Sequence, residues 1–165
     1  MNDQFRKRFL RPRHGEDHLQ DVEAITLVLD NGERTTLKIA DELAVPDDPV
    51  ELMREAKRAP ARMAFWAYQM ERALATLRAK ERSFAKCEGM EYMIARTYIQ
   101  DHTEVEIATE GNIRSRVSQS PTWNAEKEEV ERAQRSYGVL RAVREALEHR
   151  SHLLRRLIAH DIEVG

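Results

Sequence analysis

A spacing of seven dominates the middle of this chain. Met63, Met70, Leu77, Phe84, Glu91 and Tyr98 follow one another at that interval, with Trp66, Ala73, Leu74, Cys87 and Ile94 between them. Seven residues are close to two helical turns, so such a repeat lays its side chains along one stripe. The pattern predicts a helix of about 40 residues, roughly 60 Å long at 1.5 Å per residue. Only six Gly and five Pro interrupt 165 residues, which favours long helices over many turns. Gly89 is the weak point of this one. Upstream, Asp48-Pro49-Val50-Glu51 reads as a helix start, with Asp as N-cap, Pro first and Glu third. That predicts a short helix to about Ala59, after which Pro60 kinks it or opens the long one.

Ser120-Pro121 opens a second long helix by the same capping logic. Its apolar stripe is Val130, Ala133, Tyr137, Leu140, Leu147, Leu154 and Ile158. A second stripe, Val139, Val143, Ala146, Leu153 and Leu157, lies beside it. One antiparallel partner helix covers one stripe. The other calls for a further neighbour, and self-association is the simplest source of it. Between the helices, residues 101–111 are acidic and without a clear period.

Before them, residues 24–29 and 34–39 read as strands of a β-hairpin around Asp30-Asn31-Gly32. A two-residue turn scatters the apolar side chains over both faces. A three-residue turn with Gly32 left-handed pairs Leu27 with Thr35 and Ile25 with Leu37. Ile25, Leu27, Leu29, Leu37 and Ile39 then share one face, so this register is the expected one. The chain is thus read as mainly α: two long antiparallel helices, a helical hairpin or coiled coil, with a small N-terminal β-hairpin. The divisions are a basic mobile arm (1–15), a β-hairpin element (16–45) and a helical hairpin domain (46–165).

Apolar residues make up 41% and aromatics only 6%, which argues against a thick globular core. No apolar run approaches the ~18 residues that span a bilayer. No apolar stretch follows the basic N-terminus, and the single cysteine excludes an intrachain disulfide framework. The expectation is a cytoplasmic protein that does not engage membranes.

Charge alternates along the chain. Net charge is +4 over residues 1–14, −9 over 15–52, +6 over 53–86, −6 over 87–131 and +5 over 132–160. In a hairpin bent near 101–120, the two basic segments meet. Lys57, Arg58, Arg62, Arg72 and Arg78 then lie at the same end as Arg141, Arg144, Arg150, Arg155 and Arg156. Such an end suits a polyanion, whose phosphates release counterions when neutralised. The competing account is a solvated face balanced by the acidic hairpin folding back on it.

No Gly-rich phosphate loop, cysteine pair or nucleophile motif is present, and no catalytic residue, cofactor or metal site is expected. His149 and His152, near Glu145 and Glu148, fit surface ion pairs better than a metal site. Cys87 reads as a packing residue on its stripe. Trp66 and Trp123 read first as core, with base stacking as the alternative. Phe5 and Phe9, among Arg6, Lys7, Arg8, Arg11 and Arg13, suit either nucleic-acid contact or a solubilising tail.

Ile113-Arg114-Ser115-Arg116-Val117, then Ser120-Pro121, then a long helix ending Ala146-Leu147-Glu148-His149-Arg150-Ser151-His152-Leu153-Leu154-Arg155-Arg156-Leu157-Ile158 resembles UvsY-type recombination mediators of tailed phages. Pro60, Trp66 and mid-chain Tyr92 match that family's first helix, and the resemblance covers about residues 59–161. It implies a small, helical, non-enzymatic protein. The implied assembly is a ring-like homo-oligomer that binds single-stranded DNA. The implied role is to help a RecA-like recombinase displace single-strand-binding protein in an infected bacterial cytoplasm. Residues 1–45 have no counterpart in that pattern. The family's basic residues before the Tyr are here Cys87-Glu88-Gly89-Met90-Glu91, with only Lys86 basic, so DNA contact is expected at the two basic helix ends. The rival expectation is an oligomeric coiled-coil scaffold or adaptor for another protein.

Overall fold

The structure, a computed structural model, describes residues 23–29, 32–102 and 109–164, with side chains as far as His160. The chain is mainly α, with long helices and a small two-stranded N-terminal hairpin. Two compact units divide it: residues 1–70 with 139–165, and residues 71–138. The expected arm at 1–15 lies outside the described residues.

The first unit begins with β1 (Ala24–Val28) and β2 (Arg34–Lys38), antiparallel, with Ile25 opposite Leu37 and Leu27 opposite Thr35. This is the three-residue-turn register. Gly32 has φ 81°, a conformation cheap only without a Cβ. Leu29 N–H donates to Glu33 O at 2.8 Å, and Gly32 N–H to Leu29 O at 2.9 Å. Side chains alternate as the pleat requires: Leu27 is buried and Ile25, Leu29 and Leu37 half-buried, while Thr26, Thr36 and Lys38 face solvent. Ile39 does not extend the strand as expected. It opens α1 (Ile39–Leu43), stays buried, and donates its N–H to Glu23 O at 3.1 Å.

The helix α2 runs from Pro49 to Asp101 as one element of 53 residues. Its start is as read, with Glu51 N–H donating to Asp48 Oδ2 at 2.9 Å. Pro60 neither ends the helix nor opens another. A proline inside a helix costs about 3 kcal/mol. Leu52, Ala59 and Trp66, one heptad apart and all buried, straddle it, so the packed face is continuous and offsets that cost.

The helix α4 (Pro121–Val164) returns into this unit. Leu140, Val143, Leu147, Arg150 and Leu154 are buried at alternating steps of three and four, a heptad seam. Leu154 meets Leu52 and Ala59, flanked by Val45, Ala56, Leu157 and Ile158. Of the second stripe, Val143 is buried and Val139, Ala146, Leu153 and Leu157 are half-buried within the single chain. Leu157 of this stripe packs against the Leu52, Ala59 and Leu154 cluster.

The second unit joins the end of α2, a short helix α3 (Glu110–Ser118) and the start of α4. The sequence reading did not anticipate α3. Its cap is Thr109, whose hydroxyl accepts from Asn112 N–H at 3.3 Å, and Ser120 caps α4 through Trp123 N–H at 3.3 Å. Lys80–Glu129 at 3.3 Å and Phe84–Trp123 with ring centroids 5.5 Å apart show α2 and α4 antiparallel here. The core is Ala95, Ile99, Ile113 and Val117, with Tyr92 and Trp123 against it. The expected stripe put Ile94 and Tyr98 at these positions, and both are exposed. Leu77 and Ala95, both buried, are 18 residues apart, or five turns at 3.6 residues each. A straight helix keeps this longer period and drifts off the strict heptad.

Among the described residues, no helix is long and apolar enough to cross a membrane.

Candidate nucleic-acid interface

Of the ten cations expected at the basic end, Lys57, Arg58, Arg62, Arg141, Arg144, Arg150, Arg155 and Arg156 lie in the first unit. Arg72 and Arg78 belong to the second. The eight are carried by the start of α2 and the end of α4, segments held together through Leu52, Ala59 and Leu154.

Two of the eight are engaged with carboxylates inside the fold. Arg150 occupies a seam position of α4, and its side chain is only 5% exposed. Its Nε and Nη2 donate to Ala44 O at 2.9 and 2.6 Å, and Nη2 also to Glu55 Oε2 at 2.8 Å. Arg62 Nη1 donates to the same Glu55 oxygen at 2.9 Å, and its Nε lies 3.5 Å from Glu42 Oε2. Trp66 Nε1 donates to Glu42 Oε2 at 3.1 Å. The run Arg150–Glu55–Arg62–Glu42–Trp66 therefore alternates charge and closes with a neutral donor. The Arg150 hydrogen bond, helped by the charges of Arg62 and Arg58, holds the Glu55 carboxyl below its ordinary range against the opposing effect of burial.

A buried guanidinium gains little net energy over an apolar replacement, but removing one partner strands the other. The network therefore acts as a register pin between α4, α2 and the segment after α1. Arg150, expected at the basic end, is thus a buried framework group, while Arg62, a quarter exposed, is tied to Glu55 and Glu42 at the edge of the same network. Trp66 is fully buried and hydrogen-bonded, so it is no stacking platform.

The remaining cations line the outside. Lys57, Arg58, Arg141, Arg155 and Arg156 are exposed and Arg144 is half-buried. Arg58 lies 3.7 Å from Glu55 Oε1, and Arg141 Nε pairs with Glu145 at 2.8 Å one turn along. The Arg141–Glu145 pair is exposed on both sides, and such pairs contribute about 0.2–1 kcal/mol and exchange readily for another anion. Arg58 also stands at an open apolar cavity of about 390 Å³, where Leu29 and Leu37 of the hairpin face Ala61 and Phe65 of α2. Sequence reasoning missed this cavity and the roles of Glu42, Glu55 and Ala44. One signal was available: Arg150 sits in phase with Leu140, Leu147 and Leu154, where a free arginine is out of place.

In the second unit, Glu110 accepts from the Tyr92 hydroxyl at 2.7 Å and from Arg114 Nε at 2.7 Å. These bonds lower the Glu110 carboxyl and raise the Tyr92 phenol. Burial, then the charges of Glu91, Glu126 and Glu88, push the Cys87 thiol up. Trp123 is half-buried against Phe84, with Lys127 Nζ 5.2 Å from its ring. Among the described residues, no group of three or more His, Cys, Asp or Glu could hold a metal.

The chain matches no family model, no curated protein and no solved structure.

Proposed function

We propose that this protein is an oligomeric, sequence-independent single-stranded DNA-binding recombination mediator that helps load a RecA-like recombinase. The observation that carries the reading is the set of cations left at the surface of the packed segments of α2 and α4: Lys57, Arg58, Arg141, Arg155 and Arg156, with Arg144 half-buried. They stand on rigid helices, while Arg62 and Arg150 fix the helices beneath them. No base-reading motif accompanies them, which suits backbone contact. The resemblance to UvsY-type mediators supplies the recombinase and single-strand-binding protein as partners and the bacterial cytoplasm as the setting.

Titration of a labelled oligonucleotide at two salt concentrations tests this. Contacts to three to six phosphates per protomer would give a slope of log K against log salt of roughly −2 to −4. Joint Arg144→Glu and Arg155→Glu substitution should cost far more affinity than Arg114→Glu with Arg116→Glu near the acidic segment. Helicity and mass must be unchanged in both. Absence of binding at low salt, or loss only in the second pair, sinks the proposal.

A second reading, a helical scaffold for a protein partner, is favoured by a separate observation. The acidic residues Glu42 and Glu55 bind Arg62 and Arg150 from within, which reduces the positive field available outside. Retained protein association without DNA binding would select it.

A further inference from the structure

Within the first unit, the inner face of the β-hairpin does not close fully on α2. Leu29 and Leu37 share a strand face with the buried Leu27, yet both are only half-buried. Opposite them Ala61 is exposed and Phe65 half-buried, and the space between is the open cavity of about 390 Å³. That volume is in the range of about 300–1,000 Å³ usual for ligand sites. Three charged side chains border it, and two of them are matched. Glu42 Oε2 accepts from Trp66 Nε1 at 3.1 Å and lies 3.5 Å from Arg62 Nε, while Arg62 also donates to Glu55 at 2.9 Å. Arg58 is the third. Its side chain is 65% exposed, and its contact to Glu55 Oε1 is 3.7 Å, beyond hydrogen-bond distance.

The positive charge continues along one stripe of α2. At 100° per residue, Arg54, Arg58, Ala61 and Phe65 fall within an arc of about 60°. Arg54 carries an exposed pair with Glu51 one turn earlier. One face thus presents two cations and then the apolar cavity, over roughly 17 Å at 1.5 Å per residue. The site asks for a ligand with an apolar group and negative charge about a helical turn or two away. A free small carboxylate would leave much of its apolar body wet in an open site, whereas bound ligands are mostly covered. A peptide covers the mouth with its own backbone as it lowers a side chain. Leu29, Leu37 and Ala61 are aliphatic walls, which suit a hydrocarbon side chain. A nucleobase instead needs a stacking plane and partners for its polar ring edges.

We propose that the cavity between the hairpin and α2 is a docking site for an acidic peptide segment of a partner protein. The segment inserts one large apolar side chain between Leu29, Leu37, Ala61 and Phe65 and pairs its carboxylates with Arg58 and Arg54. Apolar insertion supplies the driving force, and the cations choose an acidic sequence over a neutral or basic one. The hairpin builds half of this site and lies outside the UvsY-type resemblance. The site goes beyond the DNA reading and meets it at one residue, Arg58, where an acidic segment and a phosphate backbone would compete.

The test is selection of a random nonapeptide display library on the full chain, followed by titration of the enriched peptide by fluorescence anisotropy. Enriched sequences should combine a large apolar residue with several acids. Replacing that residue by alanine, or the acids by their amides, should weaken binding about tenfold or more. Ala61→Phe fills the cavity from an exposed helical position and should weaken it as much, as should Arg58→Glu. Arg132→Glu, the same reversal at a side chain of the second unit that is also 65% exposed, should leave the affinity unchanged. Circular dichroism shows that each variant keeps its helicity. No enrichment, a basic or uncharged consensus, or unchanged peptide affinity in Ala61→Phe overturns the proposal. So does Ala61→Phe losing oligonucleotide binding with peptide binding kept, which would make the cavity a seat for a base. A lower mass for Ala61→Phe in gel filtration, with peptide binding kept, would make the occupant a second copy and overturn it too. Peptide binding without oligonucleotide binding would remove the DNA reading and leave this site standing.

Discussion

Replacing Arg150 with Met removes a buried cation while keeping its volume and helix propensity. Three hydrogen bonds go: two to Ala44 O and one to Glu55. Breaking a buried ion pair from one side costs about 3–5 kcal/mol when the other charge is left alone. Glu55 is not left alone, since Arg62 stays at 2.9 Å, and its side chain is 13% exposed. Ala44 is exposed, so water can reach part of what Arg150 gave up. The expected loss is therefore roughly 2–4 kcal/mol, which lowers a melting temperature by about 5–15 °C in a protein of this size. Urea unfolding at pH 7 measures it. Fluorescence of Trp66 in a Trp123→Phe background reports the first unit, because Trp66 donates to Glu42 within the same network. Adding Glu55→Met should cost less than the sum of the two single changes, by about 1–3 kcal/mol, because the two groups interact directly. A loss below about 0.5 kcal/mol for Arg150→Met, or strict additivity, would mean that solvent screens the network and that the register-pin argument is wrong.

Three further outcomes follow from other contacts. The Glu55 carboxyl titrates lower in the folded protein than its ordinary 4.5, so it stabilises the fold above the unfolded value. That contribution is lost as pH falls through the folded value; urea midpoints at pH 7 and pH 3.5 should diverge in the wild type and less so in Arg150→Met. Leu27→Asp puts a charge on the buried face of the hairpin and should cost about 2–4 kcal/mol, read as a lower melting temperature; an unchanged melt would show that this face is not packed. Trp123→Phe removes a buried indole N–H that has no hydrogen-bond partner, so it should cost less than about 1 kcal/mol by thermal melting despite the lost ring area.

Much of the local structure was legible in short stretches of chain. The hairpin register followed from which residues a pleated strand can place on one face, and Gly32 supplied the one left-handed residue that register needs. Asp48-Pro49 and Ser120-Pro121 announced both long helices through caps that act within three residues. The short helix after Thr109 escaped notice because its apolar pair, Ile113 and Val117, is too brief to establish a period.

What tertiary structure decided lies farther apart. Continuity through Pro60 depends on packing at Leu52, Ala59 and Trp66 together, which outweighs a local penalty. The shift of the core from Ile94 and Tyr98 to Ala95 and Ile99 depends on α2 meeting Ile113 and Val117 on that side. Charge was the least transferable reading. Counting arginines placed Arg62 and Arg150 with Lys57 and Arg155, since composition treats them alike. Arg150 is spoken for by Ala44, 106 residues away, and by Glu55, 95 residues away. A guanidinium is buried or free according to partners brought to it by folding, and no window of neighbouring residues contains them.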